Sequence, residues 1–430
     1  MVTPRLYKGM RDSLPETMIP REDLLGMIKK TFRSWGFMPV ETPAIEFTDI
    51  LLGSKYGSEA HKLIYHLQHD DGLALRYDLT VPLARMYAMN RRDLPTPFKR
   101  YQVQPVWRAE RAQPKQGRFR EFYQCDVDII GSDSRLADAE IVALSAQIMK
   151  NIGFNNIVTQ INHRKILAGV VVSAGFTEND VITVCQSIDK LDKINEDGVK
   201  KELVDKGFEE KNIEKLFDLM KNNLDDFLKM ESDDIREGAQ ELKEFFDLFE
   251  LFGHSMDVVQ FTPTLARGLD YYTGIIFETR LPDYPHIGSV NGGGRYDNLI
   301  GTFSGQDIPA VGITVGLDRI LVAAQEAGLL TTHSSLTDVM IVNFFDDTLK
   351  ESVKVSTILR NNGISTELYL DKKKITKQFD YANKQGIPIV IVIGKDDVER
   401  GVVQIKIMKS GEQIEVKIDE ILHHVKKILD

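Results

Sequence analysis

A chain of 430 residues, 42% hydrophobic and 27% charged, is long enough for two or three domains with substantial cores. That composition excludes a disordered chain or a small disulfide-stapled scaffold. No stretch approaches the roughly 20 uninterrupted apolar residues of a membrane span, and the amino-terminal MVTPRLYKGMRDSLPE has no apolar run of signal-peptide length. Cys125 and Cys185 are far apart and in no pairing or zinc-type spacing, so a reducing, cytoplasmic setting is expected. The net charge of -10 is local: between Glu196 and Glu250 there are 18 Asp or Glu against nine Lys or Arg. The rest of the chain is nearly neutral, and a nucleic-acid partner remains admissible.

Residues 1 to about 160 mix helical patterns with alternating strands. His61, His66 and His69 cluster in HKLIYHLQH, but no cysteine or carboxylate pattern completes a site, so a surface loop without a structural metal is expected. In LALRYDLT the apolar Leu73, Leu75, Tyr77 and Leu79 alternate with Arg76, Asp78 and Thr80, which predicts a strand with those three on one polar face. A half-solvated antiparallel strand reads the same way. FKRYQVQPVWRAE, the charged ERAQPKQ and GRFREFYQCDVDIIG then predict an antiparallel hairpin with a long polar tip. Alternation puts Arg100, Gln102, Gln104, Arg108 and Glu110 on one face of its first strand, and Arg118, Arg120, Phe122, Gln124, Asp126 and Asp128 on one face of its second. So many polar groups facing one way need water or a ligand. A Phe122 ring among arginines suits stacking on a base, so a ligand-binding face is expected.

From about 163 to 254 apolar residues recur at helical spacing among dense charge, which predicts a helical insertion interrupting one domain. Residues 257 to about 327 return to glycine-rich strands and a final helix. In SVNGGGRYD three adjacent glycines would let the backbone approach a flat ligand, a bulged strand being the alternative. AVGITV reads as a strand, Gly316 as a turn and LDRILVAAQEAG as a helix ended by Gly328, with Arg319 in its first turn. Cations prefer the opposite helix end, so Arg319 there implies an anion such as phosphate, unless it pairs with Asp318 or another acid on the surface. HIGS at 286–289 and KIMKS at 406–410 look like nucleotide motifs but fail on context; the second reads as a hairpin with a Ser410-Gly411 turn. Residues 328 to 337 lose periodicity and gather Ser and Thr, which puts a boundary near 335. Beyond it strands and helices alternate, predicting an α/β domain with a parallel or mixed sheet.

An arginine ending one strand, a variable loop and a Phe-bearing return strand resemble motif 2 of class II aminoacyl-tRNA synthetases. LARGLDYYTG at 265–274 resembles the signature peptide of histidyl-tRNA synthetases, and SVNGGGRYDNLIG with VGITVGLDRIL resembles their glycine-rich strands and motif 3. GFMPVETPAIEF is similar to motif 1, with Pro43 as its proline. The resemblance covers essentially the whole chain. It implies an α+β catalytic domain on an antiparallel sheet over 1–335, with the helical insertion within it, and an α/β anticodon-binding domain over 336–430.

The same resemblance implies a histidine-tRNA ligase acting on L-histidine, ATP with Mg2+, and tRNA(His), as a homodimer through motif 1. Arg108 and Arg267 would hold the α-phosphate and the histidine carboxylate, Arg319 and Arg118 the other phosphates, and Glu110 and Phe122 the adenine. Asp78, Thr80 and Gln124 would hold the histidine ammonium, and Asp128 with Tyr272, Tyr271 nearby, the imidazole. The tip from Arg111 to Gly117 would meet the acceptor stem, and Lys372, Lys373, Lys374 and Lys377 would meet tRNA phosphates. The number and ligands of the magnesium ions stay open. The rival reading is a noncatalytic synthetase-like regulatory subunit of ATP phosphoribosyltransferase, a group lacking the tRNA-reading domain and signature arginines that this chain keeps.

Overall fold

The computed structural model describes residues 2–53, 62–68, 72–267, 271–330, 335–343 and 346–429. The chain forms two compact units, 1–11 with 24–330 and 12–23 with 331–430. In the first unit the strands are β1 (Met38–Pro39), β2 (Ile45–Phe47), β3 (Tyr65–His66), β4 (Leu73–Leu75), β5 (Phe98–Trp107), β6 (Glu121–Ile130), β7 (Val158–His163), β8 (Val259–Phe261), β9 (Ile275–Arg280), β10 (Ser289–Arg295) and β11 (Ala310–Val315). Among the described residues they make an eight-stranded sheet in the order β1-β5-β6-β11-β10-β9-β7-β8 and a three-stranded sheet β2-β4-β3. The large sheet is antiparallel from β5 through β7, with a parallel partner at each edge.

Alternation along β6 sorts its side chains onto the two faces of this sheet. Cys125, Val127 and Ile129 enter the core, where they join Ile141, Leu144 and Ile148 of the helix Arg135–Ile152. Ser134 starts that helix by accepting the Leu136 amide, and Gly153, in the left-handed region at φ 110°, ends it. Residues 164 to 250 run through six helices, from Arg164–Ser173 to Asp233–Glu250, inserted between β7 and β8. They share the core through Phe245 and Phe249, so the insertion is packed onto the sheet's helical layer.

The predicted strand over LALRYDLT is mostly not a strand. β4 stops at Leu75 because the Arg76 guanidinium is buried, 1% exposed, and donates to the carbonyls of Thr42, Pro43 and Pro105. Asp78 instead accepts the Val81 amide at 3.2 Å, capping the helix Thr80–Asn90 in which Thr80 is the first residue. His66 lies in β3 and is exposed rather than in a loop; His61 and His69 fall outside the described residues. The Ser- and Thr-rich segment at 331–334 does also.

The second unit carries β12 (Val339–Ile341), β13 (Thr366–Leu368), β14 (Ile389–Val392), β15 (Val402–Ile407) and β16 (Gln413–Lys417) in a mixed sheet ordered β13-β12-β14-β15-β16. β12 pairs parallel with both neighbours and β15 pairs with β16 as a hairpin, with Gly411 at φ 74° in the turn. Lys372, Lys373, Lys374 and Lys377 are exposed, with Lys372 paired to Asp346 and Lys373 to Asp371 at 2.9 Å.

Candidate active site

A cavity of about 1010 Å³ opens over the face of the large sheet opposite the helix Arg135–Ile152. Its wall includes Asp78, Thr80, Arg108, Glu110, Arg118, Phe122, Gln124, Asp128, Arg267, Tyr271, Tyr272 and Arg319, residues scattered over more than two hundred positions. The dismissed HIGS segment lines it as well, as a 3-10 turn Pro285–Ile287 followed by the start of β10.

The floor is acidic and supplied by β6. Asp128 is held by the Arg100 guanidinium, directly opposite it in the β5–β6 register, at 2.7 Å, and accepts a hydrogen bond from the Tyr296 hydroxyl. Burial pushes the Asp128 carboxyl up, against the pull of Arg100 and Tyr296. Asp126 is pushed up to about 7, chiefly by burial, and Asp78 to about 6, again chiefly by burial. Gly312 of β11 sits across from Asp128, where a Cβ would lie 1.9 Å from Oδ1.

The opposite wall is cationic. Arg267 donates to Glu278 Oε2 at 2.7 Å and Ser289 Oγ at 2.9 Å. Burial pushes Glu278 up, but Arg267 and Arg280 outweigh it and leave it below its ordinary value. Arg319, in the first turn of the helix Leu317–Glu326, donates to the Ser289 carbonyl. Its pKa is pushed down to about 10, first by burial and then by Arg118 and Arg267. Guanidinium groups gathered beside a helix amino terminus, with Arg118 and Arg267 both acting against the charge on Arg319, form a site for an anion. Asp318, next to Arg319 in the chain, pairs with Arg11 and accepts the Tyr123 amide. Arg108 donates to the Tyr77 carbonyl at 2.9 Å and stands 5.1 Å from the Phe122 ring.

Not every predicted face looks into the cavity. Gln102 and Gln104 are turned into the protein, bonding Thr42, and Arg120 precedes β6 and donates to the carbonyls of Glu110 and Lys8. The three glycines of β10 give space to protein groups, and Gly292 also lines the cavity. A Cβ at Gly292 would lie 2.3 Å from Arg267 Cζ, one at Gly293 2.0 Å from the Gly312 carbonyl, and one at Gly294 3.0 Å from the Tyr272 ring.

Comparison with known proteins follows this geometry. The family described as Histidyl-tRNA synthetase matches residues 9–320, and that described as Anticodon binding domain matches 338–428. The chain belongs to the histidyl-tRNA synthetase family. A histidine–tRNA ligase of Cytophaga hutchinsonii is 42% identical over 98% of this chain and 99% of its own, and one of Clostridium tetani is 40% identical over 99% of each. The crystal structure of histidyl-tRNA synthetase from Nostoc sp. PCC 7120 superposes with a TM-score of 0.87 at 33% identity, covering 99% of this chain and 100% of that one. A Bacillus halodurans structure titled both ATP phosphoribosyltransferase regulatory subunit and histidyl-tRNA synthetase shares the fold, with a TM-score of 0.72 at 23% identity over 85% of this chain and 93% of its own.

Within this synthetase fold, six residues to which the sequence assigns no substrate role join or support the site: Arg100, Asp126, Glu278, Ser289, Tyr296 and Thr314. Alternation already puts Asp126 beside Gln124 and Asp128 and puts Arg100 on the polar face of β5. Ser289 and Tyr296 flank the glycines of SVNGGGRYD without being marked themselves, while Glu278 and Thr314 carry no local signal and reach the site only through the order of the strands.

Proposed function

We infer that this cavity makes histidyl adenylate from L-histidine and ATP, with release of pyrophosphate, and then passes the histidine to the terminal ribose of tRNA(His). One observation carries the reading: buried carboxylates on β6 and the guanidinium groups of Arg108, Arg118, Arg267 and Arg319 line a single cavity large enough for an amino acid and a nucleotide. The ammonium group meets Asp78, Thr80 and Gln124. The imidazole lies between Asp128 and the Tyr271–Tyr272 pair, whose rings are 4.6 Å apart. A pocket of buried hydrogen-bonding groups rejects a side chain lacking the partner by about 10⁴ or more, so no editing site is needed.

Attack of the histidine carboxylate on the α-phosphate gathers negative charge at phosphorus, and catalysis is positioning plus cationic stabilisation. Arg267 and Arg108 supply the fixed cations at that centre, and Arg118 with Arg319 holds the remaining phosphates. Glu110 and Phe122 take the edge and face of adenine. Among the described residues no group of three or more His, Cys, Asp or Glu forms a metal cage. Magnesium needs only one or two carboxylates beside substrate phosphates, and Glu278, on the wall near Arg319 and already shared between Arg267 and Arg280, is the carboxylate that would reach it. When bound, Mg2+ neutralises phosphate charge.

The carboxyl shifts set a pH dependence. Asp78 and Asp126 are raised, to about 6 and about 7, so their contribution to the stability of the empty protein is present at low pH and lost as pH rises through those values. A bound ammonium favours the ionised forms, so histidine affinity rises over the same window. The expected result is a histidine-induced increase in melting temperature that grows between about pH 5.5 and 8. It should persist with a histidine analogue whose ring does not titrate there; a shift independent of pH would contradict it.

Met38, Ile45 and Phe47 of the motif 1 segment are 62%, 47% and 62% exposed in the single chain. That supports a homodimer through this segment, which sedimentation equilibrium checks. No helix among the described residues is long and apolar enough to cross a membrane, consistent with a cytoplasmic location that fractionation of cells checks. The exposed lysines of the second unit are the candidates for tRNA phosphates. The regulatory-subunit reading is disfavoured by the retained Arg108, Arg267 and Arg319 in the cavity wall. Pyrophosphate exchange assayed across the twenty amino acids tests the function: exchange with histidine alone is expected, and its absence would leave the noncatalytic reading.

A further inference from the structure

β6 turns Gln124, Asp126 and Asp128 toward the cavity; the outer two meet substrate atoms in the reaction proposed above, and Asp126 meets none. Asp126 is 1% exposed and lies directly opposite Thr314 of β11. Gln124 Nε2 donates to Thr314 Oγ1 at 3.1 Å, and the Thr314 hydroxyl, across the strand pair from Asp126, favours the ionised form of that carboxyl. A threonine hydroxyl has one proton to give and lone pairs that accept. With an oxygen lone pair taken by the NH2 group of Gln124, the hydroxyl proton is free for the Asp126 carboxyl opposite. This settles which end of the Gln124 amide turns the other way. Gln124 Oε1 is a buried oxygen without a partner, in a side chain that lines the cavity, and such an acceptor calls for a donor.

We propose that Asp126 is a positioning residue for the amino-acid substrate: through Thr314 it fixes the Gln124 amide with Oε1 toward the substrate ammonium group. The proposal rests on the reading that the cavity binds histidine with its ammonium at Gln124. Without the relay the amide can turn over and present its own N–H groups to a cation, so recognition weakens while the chemistry at phosphorus is untouched.

The test uses the full-length enzyme and the histidine KM in pyrophosphate exchange. Thr314→Val, close to isosteric, is expected to raise that KM roughly tenfold, the loss of about one hydrogen bond to a charged group, with kcat and the ATP KM unchanged. Thr314→Ser, which keeps the hydroxyl, restores it. In a Gln124→Ala background Thr314→Val adds nothing further, an outcome that a merely structural role for Thr314 would not produce. The relay is overturned if Thr314→Val raises the KM by the same factor with or without Gln124, or if Thr314→Val is silent while Asp126→Asn raises it, which would make Asp126 a direct substrate ligand. If Gln124→Ala itself leaves the histidine KM unchanged, the ammonium site is misplaced and both the relay and the reading beneath it fail.

Discussion

Arg267→Ala lowers kcat for histidine-dependent pyrophosphate exchange by about 10²- to 10³-fold, the effect of removing one preorganised donor from a developing negative charge. The arginine is held for this task before any substrate arrives. Glu278 and Ser289 grip its guanidinium, and Gly292 supplies the space it occupies. An interaction made mainly in the transition state lowers kcat more than it raises KM, so steady-state kinetics on both substrates separates it from simple ground-state binding. Arg267→Lys keeps the charge but loses the planar fork that meets two oxygens together, and only part of the rate returns. A wild-type kcat in Arg267→Ala would remove Arg267 from the chemistry.

Gly312→Ala is expected to damage histidine recognition as severely as loss of a substrate ligand, although residue 312 would donate nothing to a substrate. The added Cβ would lie 1.9 Å from Asp128 Oδ1 and 2.9 Å from the Val127 carbonyl. β11 is bonded to β6 on one side and β10 on the other, so the strand has little room to retreat. Asp128 must then leave Tyr296 and Arg100, and a buried guanidinium without its carboxylate costs about 3–5 kcal/mol. Chemical denaturation should report a loss of that order, and the histidine KM should rise much more than the ATP KM. Unchanged stability together with an unchanged histidine KM would mean that Asp128 has another place to go.

Much of the site was legible because it follows from strand periodicity and from motifs held in a short span. The two-residue repeat of QCDVDII sends Gln124, Asp126 and Asp128 to one side and Cys125, Val127 and Ile129 to the other, and the folded β6 keeps that division. The same repeat misled at LALRYDLT. There the Arg76 guanidinium found three backbone carbonyls to satisfy it inside the protein, and alternation in sequence did not become alternation in a strand.

By itself the amino-acid sequence determined the helical texture of residues 164–250, the mixed α/β character of the carboxy-terminal unit and the family. These depend on local periodicity and on motifs that can be read in order. Only the tertiary structure decided that Arg100 and Tyr296 hold Asp128, that Thr314 accepts from Gln124 and stands opposite Asp126, and that Gly292 and Gly312 leave room for Arg267 and Asp128. Such contacts join strands that neighbour one another in the sheet but stand far apart along the chain, and a hydrogen bond or a steric gap acts over a few ångströms of space without regard to sequence distance.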